Sequence, residues 1–299
     1  MLNAIAAAVP NLLGGSADLA PSNNTNLKDM GDFGRANPLG RNFHFGIREH
    51  GMGAVCNGIA YHGGLRPFCA TFMVFSDYMR PSVRLAAIAK LPVIYIFTHD
   101  SVFVGEDGPT HEPVEHLAAL RAIPNLLVLR PGDAEETEMA WRIACERLDG
   151  PTALALTRQG LPVYPKADAS WRESIRRGAY VVRDSSGQPE IVVVATGSEV
   201  SVALQAAAAV PERRIRVVSM LSTRLFGQQP ADFRHALVPP SARKVVFEAG
   251  ASFGWKGPFD DDTVTVCIDR FGESAPYQKI AEHLGITAAA LEKKLRSLA

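Results

Sequence analysis

Apolar residues fall along this chain in short blocks separated by polar loops. Leu91-Pro92-Val93-Ile94-Tyr95-Ile96-Phe97 is an uninterrupted apolar run, β-branched and aromatic, with the length of a buried strand. The charges begin where it ends, and Thr98 to Pro113 packs His99, Asp100, Glu106, Asp107 and His111 around Gly105, Gly108 and Pro109. Beyond it Val114, Leu117, Ala118 and Leu120 fit a short helix with one apolar side. The same alternation recurs on either side. Residues 2 to 9 read as the end of a helix, Pro21 to Arg41 as a long loop, Phe43 to Ile47 as a short strand and Glu49 to His62 as a helix. Pro67 to Phe75 is apolar and aromatic, and Tyr78 to Lys90 has helical spacing. Leu126 to Leu129 and Ala153 to Leu156 are strands around a helix at Glu135 to Glu146.

Strands alternating with helices predict an α/β fold with a mainly parallel sheet covered on both faces, and ligands in such sheets collect at the carboxyl ends of the strands. Leu161 to Arg177, with two prolines and no apolar period, marks a connection. Strands at 191–195, 215–220 and 244–248 then predict a second α/β domain. The division expected is 1–165, a linker at 166–187, and 188–299. The turn Gly197-Ser198-Glu199 could hold an anion at a helix start, although it lacks the full dinucleotide fingerprint.

Composition narrows the function classes. Of 299 residues, 47% are hydrophobic and 21% charged, with 31 basic balancing 31 acidic side chains, so no net field favours nucleic acid or an anionic membrane. Cys56, Cys69, Cys145 and Cys267 are scattered without a C-x-x-C pair, as expected of buried thiols in a reducing, cytoplasmic setting. No apolar run is long enough for a membrane span, and the first residues lack the basic start of a signal peptide. The segment His111-Glu112-Pro113-Val114-Glu115-His116 fails the zinc-protease spacing, since Glu115 stands where histidine is required and Pro113 interrupts the run. No metal site is expected from this chain.

Six segments together resemble the transketolase family: G-G-S-A-D-L-A-P-S-N at 14 to 23, F-G-I-R-E-H-G-M at 45 to 52, T-F-M-V-F-S-D-Y at 71 to 78, T-H-D-S with G-E-D-G-P-T-H at 98 to 111, T-R-Q at 157 to 159, and F-G-E-S-A-P at 271 to 276. The resemblance covers that family's pyrimidine-binding and carboxyl-terminal domains. It implies transfer of a two-carbon ketol unit from a ketose donor to an aldose acceptor, both sugar phosphates, with thiamine diphosphate as cofactor. The diphosphate and its magnesium or calcium belong to the family's first domain, whose Gly-Asp-Gly and asparagine pattern does not occur here. The cofactor would thus be shared with an amino-terminal half, and the chain is expected to form a homo-oligomer.

By this resemblance Glu49 is the carboxylate that activates the cofactor, Phe72, Phe75 and Tyr78 form the pyrimidine slot, and Asp18 lies near the thiazolium. Ser22, His99 and Arg158 hold the substrate phosphate, Asp107 reads a hydroxyl, and His111 bonds the reacting oxygen. The residue types suit those tasks: a ring nitrogen needs a carboxylate, a flat ring needs aromatic faces, and a phosphate needs the fork of an arginine. Spacing alone would make the aromatic triplet core packing and Glu49 a helix-start acid. Two related thiamine enzymes share the architecture, deoxyxylulose-phosphate synthase and the beta subunit of the decarboxylating component of pyruvate dehydrogenase; the phosphate set favours transketolase. A catalytically silent half kept as an interaction or regulatory protein is the alternative of a different class.

Overall fold

The computed structural model describes residues 1–298. The first sheet contains β1 (Leu12–Ser16), β2 (Asn42–His44), β3 (Arg66–Phe72), β4 (Ile94–Thr98), β5 (Leu127–Leu129) and β6 (Thr152–Leu156) in the order β2-β1-β3-β4-β6-β5, every pair parallel. β3 and β4 are buried along their whole lengths, which is why both read as continuous apolar runs rather than alternating ones. Helices Glu49–His62 and Ser76–Ile88 pack on one face with Met52, Cys56, Met79 and Val83 buried between them and the sheet. All carboxyl ends of this parallel sheet point to one edge, and the order reverses between β1 and β3.

The second sheet holds β7 (Ala179–Arg183), β8 (Ile191–Ala195), β9 (Ile215–Met220), β10 (Arg243–Phe247) and β11 (Val264–Val266), ordered β11-β10-β8-β9-β7. β7 runs antiparallel to β9 and the rest are parallel. The stretch expected as linker, 166–187, therefore contains structure: a helix at Trp171–Arg176 and then the edge strand β7. Trp171, Ile175 and Tyr180 are buried in the main core, and that burial outweighs the mixed charges around them. The long loop at 21–41 is also interrupted, by the short helix Ala20–Asn23 and two isolated bridges.

Buried ions join the two domains. Arg130, just past β5, is fully buried; its Nε donates to Asp100 Oδ2 (2.8 Å) and its Nη1 to Thr196 Oγ1 (2.7 Å) and to the Glu199 carboxylate. Burial opposes a charged guanidinium, but Asp100, Glu199 and Glu248 outweigh it and hold the proton more tightly than usual. Glu248 receives two hydrogen bonds from Arg121 (2.8 and 2.7 Å); burial pushes its carboxyl up, and Arg121 and Arg130 pull it down to about 2. The Gly197 turn thus receives a cation: Gly197 has φ +54, and a Cβ there would stand 2.7 Å from the Arg130 guanidinium. The turn that could have held an anion is closed: the Glu199 and Val200 N–H groups donate to Thr196 O and Gly197 O, and the Glu199 carboxylate lies on Arg130.

A second contact is unbalanced. Glu112 is 2% exposed, and neither carboxylate oxygen has a hydrogen-bond partner. It faces Gly272, where an added Cβ would lie 1.8 Å from Oε2, and the neighbouring Ser274 Oγ donates to Glu106 O (2.6 Å). Burial pushes the Glu112 carboxyl up to about 7, assisted by Glu273; the Gly105 N–H pulls the other way but is itself bonded to Val102 O (3.3 Å).

Arg130→Met should destabilise the chain by about 3–5 kcal/mol in equilibrium urea unfolding, because the buried carboxylates of Asp100 and Glu199 lose their cation while Glu248 keeps Arg121; a change below about 1 kcal/mol would show that the cluster carries little of the fold. Glu112 gives a second prediction with a defined sign. Its pKa rises on folding from the ordinary 4.5 to about 7, so between those values the folded chain keeps a proton that the unfolded chain has lost. Its stabilising share is full below that window, falls across it and is absent above. Glu112→Gln should therefore gain up to about 3 kcal/mol over the parent at pH 8 and little near pH 4. A difference that does not vary with pH would rule out this titration.

Candidate active site

Every residue that the sequence analysis singled out follows the carboxyl end of a strand. Asp18 and Ser22 come after β1, Glu49 after β2, Phe72 ends β3 with Phe75 and Tyr78 beyond it, His99, Asp107 and His111 follow β4, and Arg158 follows β6. Since β1, β3, β4 and β6 are consecutive neighbours, these loops share one rim.

The aromatic residues make a ladder. Phe72 stacks on Phe75 (centroids 6.0 Å apart, planes 6° apart) and Phe75 on Tyr78 (5.8 Å, 16°). The residues between them, Met73–Phe75, form a 3-10 turn, in which side chains three apart eclipse each other. The spacing of three thus gives stacked rings, although Phe72 still belongs to the strand and Tyr78 already to the helix. His99 lies face to face with Phe72 at 3.6 Å, and His111 meets Phe75 edge-on at 5.4 Å. Burial declines along the ladder, from 7% exposure at His99 and 6% at Phe72 to 65% at Tyr78.

His99 has φ +58, left-handed backbone that costs on the order of 1–3 kcal/mol for a residue other than glycine and occurs mostly where the surroundings enforce it. On one side it is held by Thr98, whose Oγ1 is 2.9 Å from Nδ1. On the other, its neighbour Asp100 is tied to Arg130. Burial and, next, the Arg158 guanidinium lower the imidazole pKa, Asp107 and Asp100 only partly offset this, and the net result is about 4. His99 is therefore neutral at ordinary pH, and Arg158 and Asp107 both act on it through space.

Glu49 opens the helix Glu49–His62 and is buried; its side chain accepts no hydrogen bond from the described residues. A buried carboxylate left free in this way suits an incoming N–H group. Asp18 (φ +50) and Ser22 are exposed on the rim, and Arg158 is exposed beside the half-buried Gln159. Among the described residues no hydrogen bond or ion pair ties Asp18 or Ser22 to the aromatic ladder. Ser22 adjoins Asn23, which is buried and bonded to Thr98 Oγ1 (2.6 Å). Asn23 and Thr98 are functional-looking residues that sequence reasoning missed; the only signal was their place inside two quoted motifs. The failed zinc segment has a different arrangement from the one tested: His116 Nε2 meets Asp77 Oδ2 at 3.2 Å, and His116 Nδ1 lies 3.8 Å from Glu115 Oε2.

Comparison with known proteins agrees with this geometry. The model of the transketolase pyrimidine-binding domain matches residues 1–163, and that of the transketolase-like C-terminal domain matches 178–287. The chain is 47% identical over 298 residues to a transketolase of Aquifex aeolicus (strain VF5), covering 99% of this chain and 43% of that protein. It is 50% identical over 302 residues to a transketolase of Geobacillus stearothermophilus, covering 100% and 45%. Among solved structures, transketolase from Leishmania mexicana superposes with a TM-score of 0.94 at 45% identity, over 99% of this chain and 44% of that one. A structure described as split gene transketolase, inactive beta4 tetramer, superposes at 0.78 with 25% identity, over 99% of this chain and 94% of that one. This chain spans less than half the length of the curated relatives named. With both domain models matched in order and five of the six quoted motifs gathered on one rim, the chain belongs to the transketolase family.

Proposed function

We propose that the chain is the pyrimidine-binding and carboxyl-terminal part of a transketolase, and that it moves a two-carbon ketol unit between sugar phosphates only together with an amino-terminal, diphosphate-binding part. The observation that carries this is the rim on which Glu49, the ladder Phe72-Phe75-Tyr78, His99 and Arg158 come together. Thiamine diphosphate, when bound, supplies a thiazolium carbon that becomes nucleophilic after losing a proton to the cofactor's own aminopyrimidine. The residues here fit the pyrimidine end of that group: the aromatic faces match a flat ring, and the unpartnered Glu49 carboxylate matches a ring N–H. Glu49 would hold that ring in its proton-accepting form, and the ladder would exclude water from it. Arg158 would meet the substrate phosphate beside Ser22 and His99, Asp107 a hydroxyl and His111 the reacting oxygen. Asp18 would lie near the thiazolium.

The diphosphate and its magnesium or calcium fall to the partner part. Supporting this, the split-gene transketolase is a chain of nearly the same extent and is inactive as a beta4 tetramer. Helix Ser76–Ile88 also exposes Tyr78, Leu85 and Ile88 on one side, and Glu49–His62 exposes Val55 and Tyr61. Apolar exposure of this kind suits an interface, with a second copy or the missing part as the occupant. Among the described residues no helix is long and apolar enough to cross a membrane, and the cysteines are unpaired; a cytoplasmic setting is part of the proposal.

The purified chain should show no ketol transfer with thiamine diphosphate and magnesium, and should gain it when a separately made amino-terminal half is added. A coupled assay decides: turnover by the chain alone sinks the shared-site reading, and no gain with the added half favours the silent alternative. In the reconstituted enzyme Glu49→Gln should slow thiazolium proton exchange roughly 100- to 10,000-fold, and near-normal exchange would remove Glu49 from this role. Arg158→Ala should weaken phosphorylated substrates by roughly 10- to 150-fold and leave unphosphorylated ones almost unchanged; equal losses would make Arg158 structural.

A further inference from the structure

Four buried hydroxyl and amide side chains lead from the end of β1 to the ring of His99. Ser16 Oγ lies 2.6 Å from Thr25 Oγ1; Asn23 Nδ2 donates to Ser16 Oγ at 3.1 Å; Thr98 Oγ1 donates to Asn23 Oδ1 at 2.6 Å; and Thr98 Oγ1 is 2.9 Å from His99 Nδ1. Each of these residues is less than 9% exposed. Their lengths fix the direction of the chain. An O–H···O bond is typically about 2.5–3.0 Å and an N–H···O bond about 2.7–3.2 Å. With the Asn23 amide turned round, nitrogen would have to reach Thr98 at 2.6 Å, too short, and the Ser16 hydroxyl would have to reach oxygen at 3.1 Å, too long. The orientation with Oδ1 towards Thr98 is the one that satisfies both.

A threonine hydroxyl has one proton. Given to Asn23, it leaves Thr98 Oγ1 only lone pairs for the imidazole, so His99 Nδ1 must carry the hydrogen of that 2.9 Å contact. The groups acting on the ring, Asp100, Asp107 and Arg158, together with its burial, leave it neutral, so a proton on Nδ1 means none on Nε2.

We propose that Asn23 and Thr98 are positioning residues that lock neutral His99 as its Nδ1–H tautomer, so that Nε2 is a hydrogen-bond acceptor on the rim. The proposal rests on the reading above of His99 at the substrate phosphate and narrows it: His99 meets that phosphate only as an acceptor from a P–OH group or by taking up a proton, and Arg158 is the direct cation there. A sugar hydroxyl can donate to Nε2 directly. A phosphate oxygen without a proton can meet Nε2 only if the ring takes up a proton as well, whereas Arg158 meets it as it stands. The ladder adds to the constraint, because stacking on Phe72 at 3.6 Å fixes the ring plane.

The tautomer can be read without substrate, cofactor or partner, so this test stands apart from that of the proposed activity. The full chain labelled with 15N-histidine is examined by long-range 1H–15N NMR at about pH 7, with His99 assigned by the signal lost in His99→Asn. The Nδ1–H pattern is expected. Asn23→Leu frees the Thr98 hydroxyl to donate to Nδ1 and should convert His99 to the Nε2–H form. Thr98→Ser should keep the parent pattern and Thr98→Val should lose it. A parent spectrum showing Nε2–H overturns the proposal, as does an unchanged tautomer in folded Asn23→Leu. If that variant does not fold, the Thr98→Ser and Thr98→Val pair decides: identical tautomers in the two overturn it.

Discussion

Arg130 is the residue on which both domains and the rim depend. Its main chain bridges to the second domain, the N–H donating to Leu221 O (3.0 Å) and the carbonyl accepting from Gly197 N (3.2 Å), while its guanidinium gathers Asp100, Thr196 and Glu199. Buried charges of this kind are weak evidence for net stability, since desolvation consumes most of the Coulomb gain, but they tolerate few alternative arrangements. Asp100 turns that intolerance into function. It directly follows His99, so the Arg130–Asp100 salt bridge, which lies within the first domain and is anchored to the second through Thr196 and Glu199, also holds the strained residue at the end of β4.

The second domain thus acts on the rim without contributing a residue to the aromatic ladder. It grips the loop 98–113 at both ends, at Asp100 through Arg130 and at Glu106 and Glu112 through the 271–274 segment. The two grips differ in kind. The first is an ion cluster in which nearly every oxygen has a partner. The second presses an unpartnered carboxylate against a glycine backbone, and its charge depends on pH near neutrality. The loop that carries His99, Asp107 and His111 is therefore fixed at its start and weakly poised at its end.

Much of this was legible in the chain because it rests on local signals. The buried strands read as apolar runs, and five of the six motifs lie at strand ends of the first sheet, where a parallel sheet collects ligand-binding residues. The unread parts are non-local. Arg130 meets partners 30 and 69 positions away, and no spacing rule connects them. β7 was hidden because Ala179–Arg183 is an edge strand between charged flanks, and β11 because Val264–Val266 is only three residues long and follows Asp260-Asp261-Asp262. The Gly197 turn has the local form of an anion site, and only the fold shows that a buried arginine faces it. Asn23 and Thr98 lay inside motifs that could be recognised whole, which concealed what each side chain does.

The rim joins two environments with opposite demands. At its inner end His99 is buried, neutral and stacked on Phe72; Tyr78 at the far end of the ladder, and Arg158 on the loop after β6, are open to solvent. A flat, half-apolar ring gains most by lying along the ladder, and a charged phosphate is least penalised where Arg158 is still hydrated. Closing the outer end of the ladder would bury Tyr78 together with the neighbouring apolar positions of the helix Ser76–Ile88, so a surface that completed the site would also be one that covers this helix. Under the proposed function, completion of the site and assembly with a partner part would be a single event, driven by the same apolar area.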